Sequence, residues 1–411
     1  MPPTMRRTSL FVLFLTIFID LLGFGIVIPL LPFFAKQYGA SGTWVGIVVG
    51  IYSAMQFLFA PILGRLSDRI GRRPVLLVSL TGSFVGYILF AFAGSLWGLF
   101  FARLVAGIAG ANIGTAQAYI ADSTSFEDRA KGMGLIGAAF GLGFILGPPV
   151  GGILSSWGMQ HGQTPNFLPG VVAATLSIIA FSVAFFVLGE SKKPGTGVRR
   201  GRPPQFDIET WRILRGSAAL SLVIGAFFLI VFAFAGMETT VTLFARERFA
   251  FTARDLGYFF GFMGVIVAVI QGGLIGRLTR RLGEQALIMA GTLSFLAGFV
   301  FLPLIYDPRL LWPTAFLVAV GQGLCYPSMN SLVSKTAPVD HMGSIMGLSA
   351  SMGSLARMLG PVIFGFLWDV GNARGAFWSC AVAVLIASIL AMRLRKIRIT
   401  EHRDPEPAAS A

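Results

Sequence analysis

Charged residues are scarce in this chain. They make up 12% of its 411 residues, against roughly 25% in typical soluble domains. Hydrophobic residues reach 55%, and the mean hydropathy is +0.77. A water-soluble fold is therefore not expected, and the composition predicts an integral membrane protein embedded in a lipid bilayer.

Cysteine and histidine are nearly absent. The two cysteines, Cys325 and Cys380, lie far apart in apolar segments, which argues against a disulfide framework or a metal cluster. The three histidines, His161, His341 and His402, lie in separate connections, and the sequence has no Walker phosphate loop. We therefore expect no enzyme activity, no metal and no cofactor, with a proton gradient rather than ATP as the energy source.

Positive charge is the exception to this scarcity, with 32 Lys and Arg against 18 Asp and Glu. The basic residues stand in short connections between apolar segments rather than along one solvated face, which argues against nucleic-acid binding. The densest cluster is residues 64–74, GRLSDRIGRRP. Because charges are costly in a bilayer, this cluster predicts a short cytoplasmic turn between two spanning helices.

The apolar segments are long enough for about twelve spanning helices of ~20 residues each. The predicted helices cover residues 10–34, 44–63, 75–94, 97–120, 131–155, 168–189, 217–238, 254–275, 285–305, 310–333, 343–368 and 375–393. We predict an all-α membrane protein with two six-helix halves, residues 1–190 and 217–411. Residues 191–216 form a polar cytoplasmic linker, and a cytoplasmic tail ends the second half.

Lys and Arg alternate between the connections. The basic set comprises the N-terminus, residues 64–74, the linker, residues 277–281 and the tail from Arg393. Residues 244–255 are an exception, because they carry three arginines on the other side. The bias toward cytoplasmic Lys and Arg predicts that both termini lie in the cytoplasm, with the protein in the plasma (inner) membrane.

The second half repeats features of the first. The sequence GRLTRRLG at residues 276–283 echoes residues 64–71 at an offset of 212, and Gly360-Pro361 echoes Gly147-Pro148 at an offset of 213. Arg280 stands where the first half has Asp68. Two related halves in parallel orientation are predicted, alike in scaffold but not in that charge.

Three motifs resemble signatures of the major facilitator superfamily, and the resemblance covers nearly the whole chain. The signature between helices 2 and 3 is matched by Gly64, Leu66, Asp68, Arg69, Gly71, Arg72 and Arg73. The helix 4 signature is matched by Arg103, Gly107 and Gly110. The helix 5 signature of proton antiporters is matched by Gly134, Gly143, Gly147, Pro148, Gly151 and Gly152.

Within that superfamily the chain is similar to twelve-helix drug:proton antiporters. Its first half resembles tetracycline efflux proteins through IDLLGFGIVIPLLP in helix 1 and residues 64–74. It departs from them in helix 3, where Gly86 stands in place of an acid, and in helix 9, where no acid lies between Gln285 and Ile305. The resemblance therefore implies export of a drug or lipophile rather than of tetracycline itself.

The resemblance implies a conformational latch at residues 64–74. It places Asp68 against the start of helix 11 near Gly343, and Arg72 beside an acid at the end of helix 4, for which Asp122 is the candidate, with Arg129 nearby. An acid near a helix N-terminus is stabilised by the helix dipole, so such a contact weakens when the helices part. The alternative is that these charges merely fix the topology.

The glycines of helix 5 recur every four residues at positions 143, 147 and 151, which lets another helix approach closely. The resemblance places this face against helix 8, where the two halves meet. It also assigns Arg103 a role in proton transfer, although a local packing or hydrogen-bonding role stays open.

Asp20 is our candidate for proton coupling, because it lies about ten residues into helix 1, near the middle of a bilayer. An ionised acid there is costly, so we expect its protonation to respond to access from either side. Alternatively, Asp20 is a permanent partner of a basic residue or caps a helix break. Arg357, near mid-membrane in helix 11, is its candidate partner. Glu238, at the outer end of helix 7, is a second titratable site or an interfacial acid.

A substrate cavity is expected between the halves, lined chiefly by helices 1, 4, 7 and 10. Its polar candidates are Asn112, Gln117, Tyr119, Gln322, Tyr326 and Asn330. We predict a monomeric secondary transporter that exchanges protons for an amphipathic small molecule. The alternatives are a proton-coupled importer and, from another class, a non-transporting membrane sensor or scaffold. Charges inside apolar helices argue against a passive scaffold.

Overall fold

The structure is a computed structural model that describes residues 3–124, 126–191 and 207–395. Its regular elements in these ranges are helices. Helices satisfy their own backbone hydrogen bonds, as apolar segments in a bilayer must. The prediction of an all-α membrane protein is confirmed, since eleven of the described helical segments are long and apolar enough to cross a membrane.

The eleven segments contain twelve helices. The first ten are α1 (Leu13–Gln37), α2 (Gly42–Ile70), α3 (Arg72–Ala91), α4 (Leu96–Ser123), α5 (Ile136–Gln160), α6 (Phe167–Val187), α7 (Ala218–Phe249), α8 (Ala253–Leu282), α9 (Glu284–Leu304) and α10 (Pro308–Thr336). The last segment, Met342–Leu394, is broken at Asn372, whose φ of 57° is not helical. It therefore comprises α11 (residues 342–371) and α12 (residues 373–394).

The turn predicted within residues 64–74 is present but is only one residue long. Helix α2 continues to Ile70 and α3 begins at Arg72, so Gly71 is the single residue between them. Its φ of 105° lies in a region that favours glycine. Gly283, 212 residues later, has a φ of 75° and separates α8 from α9 in the same way. The repeat between the halves therefore includes this one-residue corner.

The structure differs from the predictions at two further places. Helix α7 extends to Phe249, eleven residues beyond its predicted end, and residues 239–245 are all buried along this extension although three of them are threonines. The predicted polar linker contains a helix, Ile208–Gly216, whose N-cap Asp207 accepts a hydrogen bond from the Thr210 backbone at 3.1 Å. Residues 192–206 and the tail beyond residue 395 lie outside the described residues.

Helices α1 and α5 pack closely within the first half. A Cβ atom added to Gly143, Gly147 or Gly151 would meet backbone atoms of α1 at Leu21, Gly25 or Ile26. The spacing of four residues places these glycines on one face of α5. The stripe predicted to face helix 8 therefore faces helix 1.

Candidate functional site

The two halves of the chain meet along two seams. In the first seam α2 crosses α11, and Gly42, Gly46 and Gly50 of α2 lie against the carbonyl oxygens of Gly365, Pro361 and Met358. A Cβ atom at any of the three α2 positions would come closer than 3.0 Å to those oxygens. The backbones therefore touch without intervening side chains, as small residues permit in membrane helices.

The second seam joins α5 to α8. Gly257 of α8 lies against the Pro148 carbonyl, and Gly264 lies against the Phe144 carbonyl. Gly152 of α5 faces the Ala253 carbonyl. The face of α5 toward the second half thus runs through positions 144, 148 and 152, one residue on from the stripe at 143, 147 and 151. One residue is a rotation of about 100° on a helix, which is why the predicted face was wrong.

Polar contacts join the halves beside these seams. The Lys36 ammonium lies 3.0 Å from the Glu247 carboxylate, and Arg246 Nη1 donates to the Phe33 carbonyl at 2.8 Å. We call this side of the molecule, comprising residues 36–46, 242–257 and 361–369, the sealed end. Helix α2 begins at the sealed end and finishes at the charged cluster of residues 64–70. The rise per residue of a helix places these two ends about 40 Å apart.

The opposite side, which we call the basic end, comprises residues 64–74 and 276–283. The α2–α11 seam does not reach it, because a Cβ atom on Gly64 or Gly343 would meet no atom within 4 Å. Asp68 lies 2.7 Å from Arg72 Nη2, one helical turn away, and not at the start of α11 near Gly343 as expected. The separation of α2 from α11 at this end leaves Asp68 paired within its own half.

Arg72 is the centre of a charge cluster in the first half. Its side chain is buried, and Arg72 Nε lies 3.0 Å from Asp122 Oδ2, so the structure brings together the pair that the resemblance implied. Arg72 Nη1 donates to Ser67 Oγ at 2.7 Å. Glu190 accepts from the backbone N–H groups of Arg72 and Arg73 at 2.8 and 3.1 Å. The surroundings of Arg129 and Gly134 lie outside the described part of the structure.

Asp20 lies on α1 beside two adjoining cavities. The Ser83 hydroxyl and the Asn112 amide hydrogen-bond to its carboxylate. One cavity is also lined by Tyr52 and Tyr87. The other follows α1 toward the basic end, past Thr16 and Leu13. Asp20 is therefore held by neutral polar groups at the meeting point of two cavities.

Arg103 lies behind this cluster, on the side toward the sealed end. Its side chain is 2% exposed, and its guanidinium carbon lies 4.3 Å from the centre of the Tyr52 ring. Among the described residues, its Nε and Nη2 atoms have no hydrogen-bond partner. A buried guanidinium normally pairs with an acceptor, so Arg103 retains unused capacity to bind an acceptor group.

Arg357 and Glu238 form the counterpart cluster in the second half. Glu238 lies within α7, eleven residues before its end, rather than at the outer end of the helix as predicted. Arg357 is its electrostatic partner and also donates to Ser354 Oγ at 3.3 Å. Arg357 thus interacts with an acid of its own half, and the expected pair with Asp20 is absent from the described contacts of both residues.

The residues predicted to line the substrate cavity differ in their exposure and contacts. Asn112 lines both cavities, and the exposed Tyr326 of α10 packs on Phe227 with ring centres 5.4 Å apart. Gln117 is exposed, and Gln322 and Asn330 are half-buried. Tyr119 is not a cavity residue, since it is buried and donates to the Gly189 carbonyl at 2.9 Å. Its position on α4 turns it toward the end of α6.

Sequence reasoning missed Tyr52, Ser83 and Tyr87 around Asp20. Each is a polar residue in an apolar helix, which is a usable signal, but Tyr52 lies on α2 whereas Ser83 and Tyr87 lie on α3. Their neighbours in sequence do not reveal that they converge. Glu190 and Asp369 were also missed, because each lies near the end of a helix, where acids are common.

Comparisons with known proteins agree with this architecture. A family model described as Major Facilitator Superfamily matches residues 13–361 and 314–411. The chain belongs to the major facilitator superfamily. It is a membrane transporter and not an enzyme, in keeping with the paired halves and the cavities beside Asp20.

Relatives in this superfamily include drug-resistance proteins. The tetracycline resistance protein, class C, of Escherichia coli is 32% identical over 394 residues, which cover 94% of this chain and 97% of that protein. The class B protein of Escherichia coli is 31% identical over 376 residues, covering 86% of this chain and 90% of that protein. The chain is thus similar to tetracycline efflux proteins over nearly its full length.

Solved structures show the same fold. A crystal structure of the human organic anion transporter MFSD10 (TETRAN) has a TM-score of 0.71 and 25% identity, and the match covers 95% of this chain and 100% of that one. A bacterial homolog of the human lysosomal transporter Spinster, in an inward-facing conformation, has a TM-score of 0.78 at 13% identity, covering 96% of this chain and 98% of that one. The second likeness concerns the fold alone.

Proposed function

We propose that this transporter exports amphipathic small molecules in exchange for protons, by alternating access between its two ends. The observation that carries the proposal is the environment of Asp20. Its carboxylate lies beside cavities and accepts hydrogen bonds from the neutral groups of Ser83 and Asn112. Among the described ion pairs, none involves Asp20. A carboxylate without a permanent counter-ion can gain and lose a proton during a cycle.

We assign the basic end to the cytoplasm. Residues 64–74 and 276–283 carry closely spaced arginines, and cytoplasmic connections are enriched in such residues. Both termini then lie in the cytoplasm. The structure in this assignment is closed outward along both seams and open inward, which suits loading of a compound from the cytoplasm or the inner leaflet.

Asp20 and Arg103 have distinct parts in the proposed cycle. In the present state Asp20 is approached along α1 from the basic end, by way of the cavity that passes Thr16. Tyr52 and the buried Arg103 lie on its other side. When the seams open and the basic end closes, Asp20 exchanges its proton with the other side, and Arg103 stabilises the carboxylate once ionised. Glu238 and Arg357 interact electrostatically in the other half.

The proposed substrate class rests on the known relatives and on one residue, Gly86, at which this chain differs from tetracycline efflux proteins. The relatives of this chain include tetracycline resistance proteins, yet Gly86 stands where the resemblance places an acid in α3. A Cβ atom on Gly86 would lie 3.0 Å from the Ala106 Cβ, so α3 and α4 touch there and leave no room for a carboxylate. We therefore propose an amphipathic drug or metabolite other than tetracycline.

A second candidate function is transport of organic anions. It is favoured by the unpartnered nitrogens of Arg103 beside Tyr52, because a buried guanidinium binds carboxylate or sulfonate groups well. The human relative MFSD10 is an organic anion transporter. For this second candidate function, the anionic group of the substrate accepts hydrogen bonds from Arg103 while Asp20 is protonated.

Everted membrane vesicles from an efflux-deficient host test both candidates. After an inside-acid gradient is formed, addition of a transported compound releases protons, which a pH-sensitive dye reports. We expect a response to a cationic dye or to an organic anion such as carboxyfluorescein, and no response to tetracycline. In Asp20→Asn vesicles the response should vanish although the protein is inserted normally. Asp307→Asn is the matched control, since Asp307 is exposed and caps a short turn through the Arg309 N–H.

The vesicle experiment distinguishes proton-coupled export, organic-anion export and import. Proton release that persists in Asp20→Asn contradicts the coupling role. A response to carboxyfluorescein alone, abolished by Arg103→Gln, favours the organic-anion candidate. If the compound leaves the vesicles together with protons instead of entering in exchange for them, the protein is an importer rather than an exporter.

A further inference from the structure

We propose that Asp369 is a positioning residue of the transport cycle, which holds α2 and α11 together at the sealed end in the present conformation. Asp369 is on α11 in the second half, and its partners are on α2 in the first half. The proposal concerns the conformational equilibrium, so it does not depend on which solute is carried or on whether Asp20 couples protons.

The contact consists of three short hydrogen bonds. Asp369 Oδ1 accepts from the Gly42 backbone N–H at 2.6 Å, and Oδ2 accepts from the Thr43 backbone N–H at 2.8 Å. Oδ2 also accepts from the Thr43 hydroxyl at 2.6 Å. Both carboxylate oxygens are thus engaged by the partner half, and charge-assisted hydrogen bonds of this kind are stronger than neutral ones.

The partners lie in the first turn of α2. A helix N-terminus presents N–H groups that have no partner inside the helix, together with the positive end of the helix dipole. The N-cap Ser41 accepts from the Trp44 N–H at 3.3 Å and so satisfies one of these groups. Asp369 satisfies two others from across the seam. The first turn of α2 therefore receives part of its capping from the opposite half of the transporter.

The contact is suited to repeated opening. Asp369 is exposed, and the partners lie at the rim of the seam, so water reaches both sides when the helices part. Opening then leaves no buried carboxylate and no buried N–H group, which would each cost free energy. The glycine contacts at Gly46 and Gly50 supply the packing deeper in the seam, whereas Asp369 supplies its electrostatic part.

A register match connects this contact to the basic end. Asp369 follows Gly343 of α11 by 26 residues, and Asp68 follows Gly42 of α2 by 26 residues. Helices α2 and α11 run in opposite directions, so each carries an acid near its C-terminal end, on the side of the molecule where the other helix begins. In this structure Asp369 is engaged, while Gly343 faces open space and Asp68 pairs with Arg72. The two helices are therefore built for reciprocal capping, one end at a time.

The test measures the opening of the sealed end. Spin labels are placed at Thr164→Cys, in the connection between α5 and α6, and at Leu310→Cys, in the first turn of α10. Both positions are exposed and lie at this end, whereas the native Cys325 and Cys380 are 0% exposed. Electron–electron resonance in nanodiscs gives the distance distribution between the labels. We expect Asp369→Asn to raise the ratio of long to short distances by roughly tenfold, the size expected for one lost charge-assisted hydrogen bond.

The control is Asp255→Asn. Asp255 also accepts from a backbone N–H and a threonine hydroxyl, at 2.8 and 2.6 Å from Thr252, but both groups belong to its own half. This variant should leave the distance distribution unchanged. Thr43→Val, which removes a single bond, should shift it in the same direction as Asp369→Asn but less, and it serves as the test if Asp369→Asn does not fold.

A merely structural role for Asp369 predicts lower thermal stability with an unchanged distance distribution, and that result would overturn the proposal. An equal shift in Asp255→Asn would overturn it as well. Adding Asp68→Asn to Asp369→Asn should move the distribution back toward the wild type, because the variant then lacks the corresponding acid at both ends.

Discussion

The sealed end and the basic end use the same two helices in different ways. At the sealed end, α2 and α11 touch through glycines, and Asp369 bonds to the N-terminus of α2. At the basic end the same helices are apart, and Asp68 bonds to Arg72 within its own half. The difference shows that the charges of one end join the halves while those of the other hold one half together.

This comparison explains how a transporter can close either end without a large change inside each half. At the basic end, Arg72 is satisfied by Asp68, Asp122 and Ser67. These bonds keep the cluster intact when α11 is distant. At the sealed end, the groups on each half are backbone N–H groups and an exposed acid, which water can satisfy after separation. Each end therefore has an acceptable arrangement of its polar groups in the open state.

The largest expected effect comes from removing Arg72. Arg72→Met removes the buried guanidinium that pairs with Asp68 and Asp122, and breaking such ion pairs costs about 3 kcal/mol of stability. We expect a lower temperature of unfolding in detergent, measured by thiol-reactive dye fluorescence. The distance between labels at positions 164 and 310 should not change, since Arg72 belongs to one half.

The control for Arg72 is Arg65→Met, because Arg65 is exposed and its side-chain bond is a 3.3 Å contact with the Pro61 carbonyl of its own helix. It should unfold at the wild-type temperature. If Arg72→Met instead opened the sealed end, the division of charges between the two ends would be wrong.

A smaller effect is expected from filling the α2–α11 seam. In Gly46→Ala the new Cβ atom meets the Pro361 carbonyl, so the backbones must move apart. Overpacking costs about 1–3 kcal/mol, which corresponds to a shift of roughly tenfold toward the long label distance. Transport should fall, while the unfolding temperature stays near that of the wild type.

Gly225→Ala is the matched control within α7, where a Cβ atom would meet the Leu390 side chain at an ordinary 3.6 Å. It should behave as the wild type in both measurements. A Gly46→Ala protein with the wild-type distance distribution and full transport would show that close backbone contact is not needed to seal this end.

The smallest effect is expected from the ion pair between Lys36 and Glu247. It also joins the halves at the sealed end, but its side chains are 31% and 45% exposed. Exposed ion pairs contribute about 0.2–1 kcal/mol and are screened by salt. Glu247→Gln should therefore shift the label distances less than Asp369→Asn, and the shift should disappear in high salt. If Glu247→Gln and Asp369→Asn shifted the label distances equally, the bonds from Asp369 to the N-terminus of α2 would have no special importance for sealing this end.

Much of the fold could be predicted from the sequence because the bilayer imposes strong local rules. Segments of sufficient length and hydropathy identified the helices, and the repeat at an offset of 212 identified the two halves. The exact ends were less predictable, since both α2 and α7 continue as helices through polar and charged residues at their C-terminal ends. Length rules do not detect such continuations.

The candidate site was predictable in part. Asp20 and Arg103 were visible as charges in apolar helices, and the structure places both around Tyr52. The partner of Arg357 was not, because Glu238 and Asp20 are both acids in apolar helices and the choice between them depends on how α7 and α1 are placed. The glycine stripe of α5 was predicted correctly as a close contact but assigned to the wrong helix.

The sequence by itself determined the class of protein, the number of helices and the position of the charged turn, because hydropathy, glycine and arginine act through local chemistry. The tertiary structure alone decided which polar groups meet. Asp369 and Gly42 are 327 residues apart in the chain, and their contact exists because α2 and α11 cross at that point. Pairings over such distances depend on the rotation and crossing of whole helices, which no local pattern specifies.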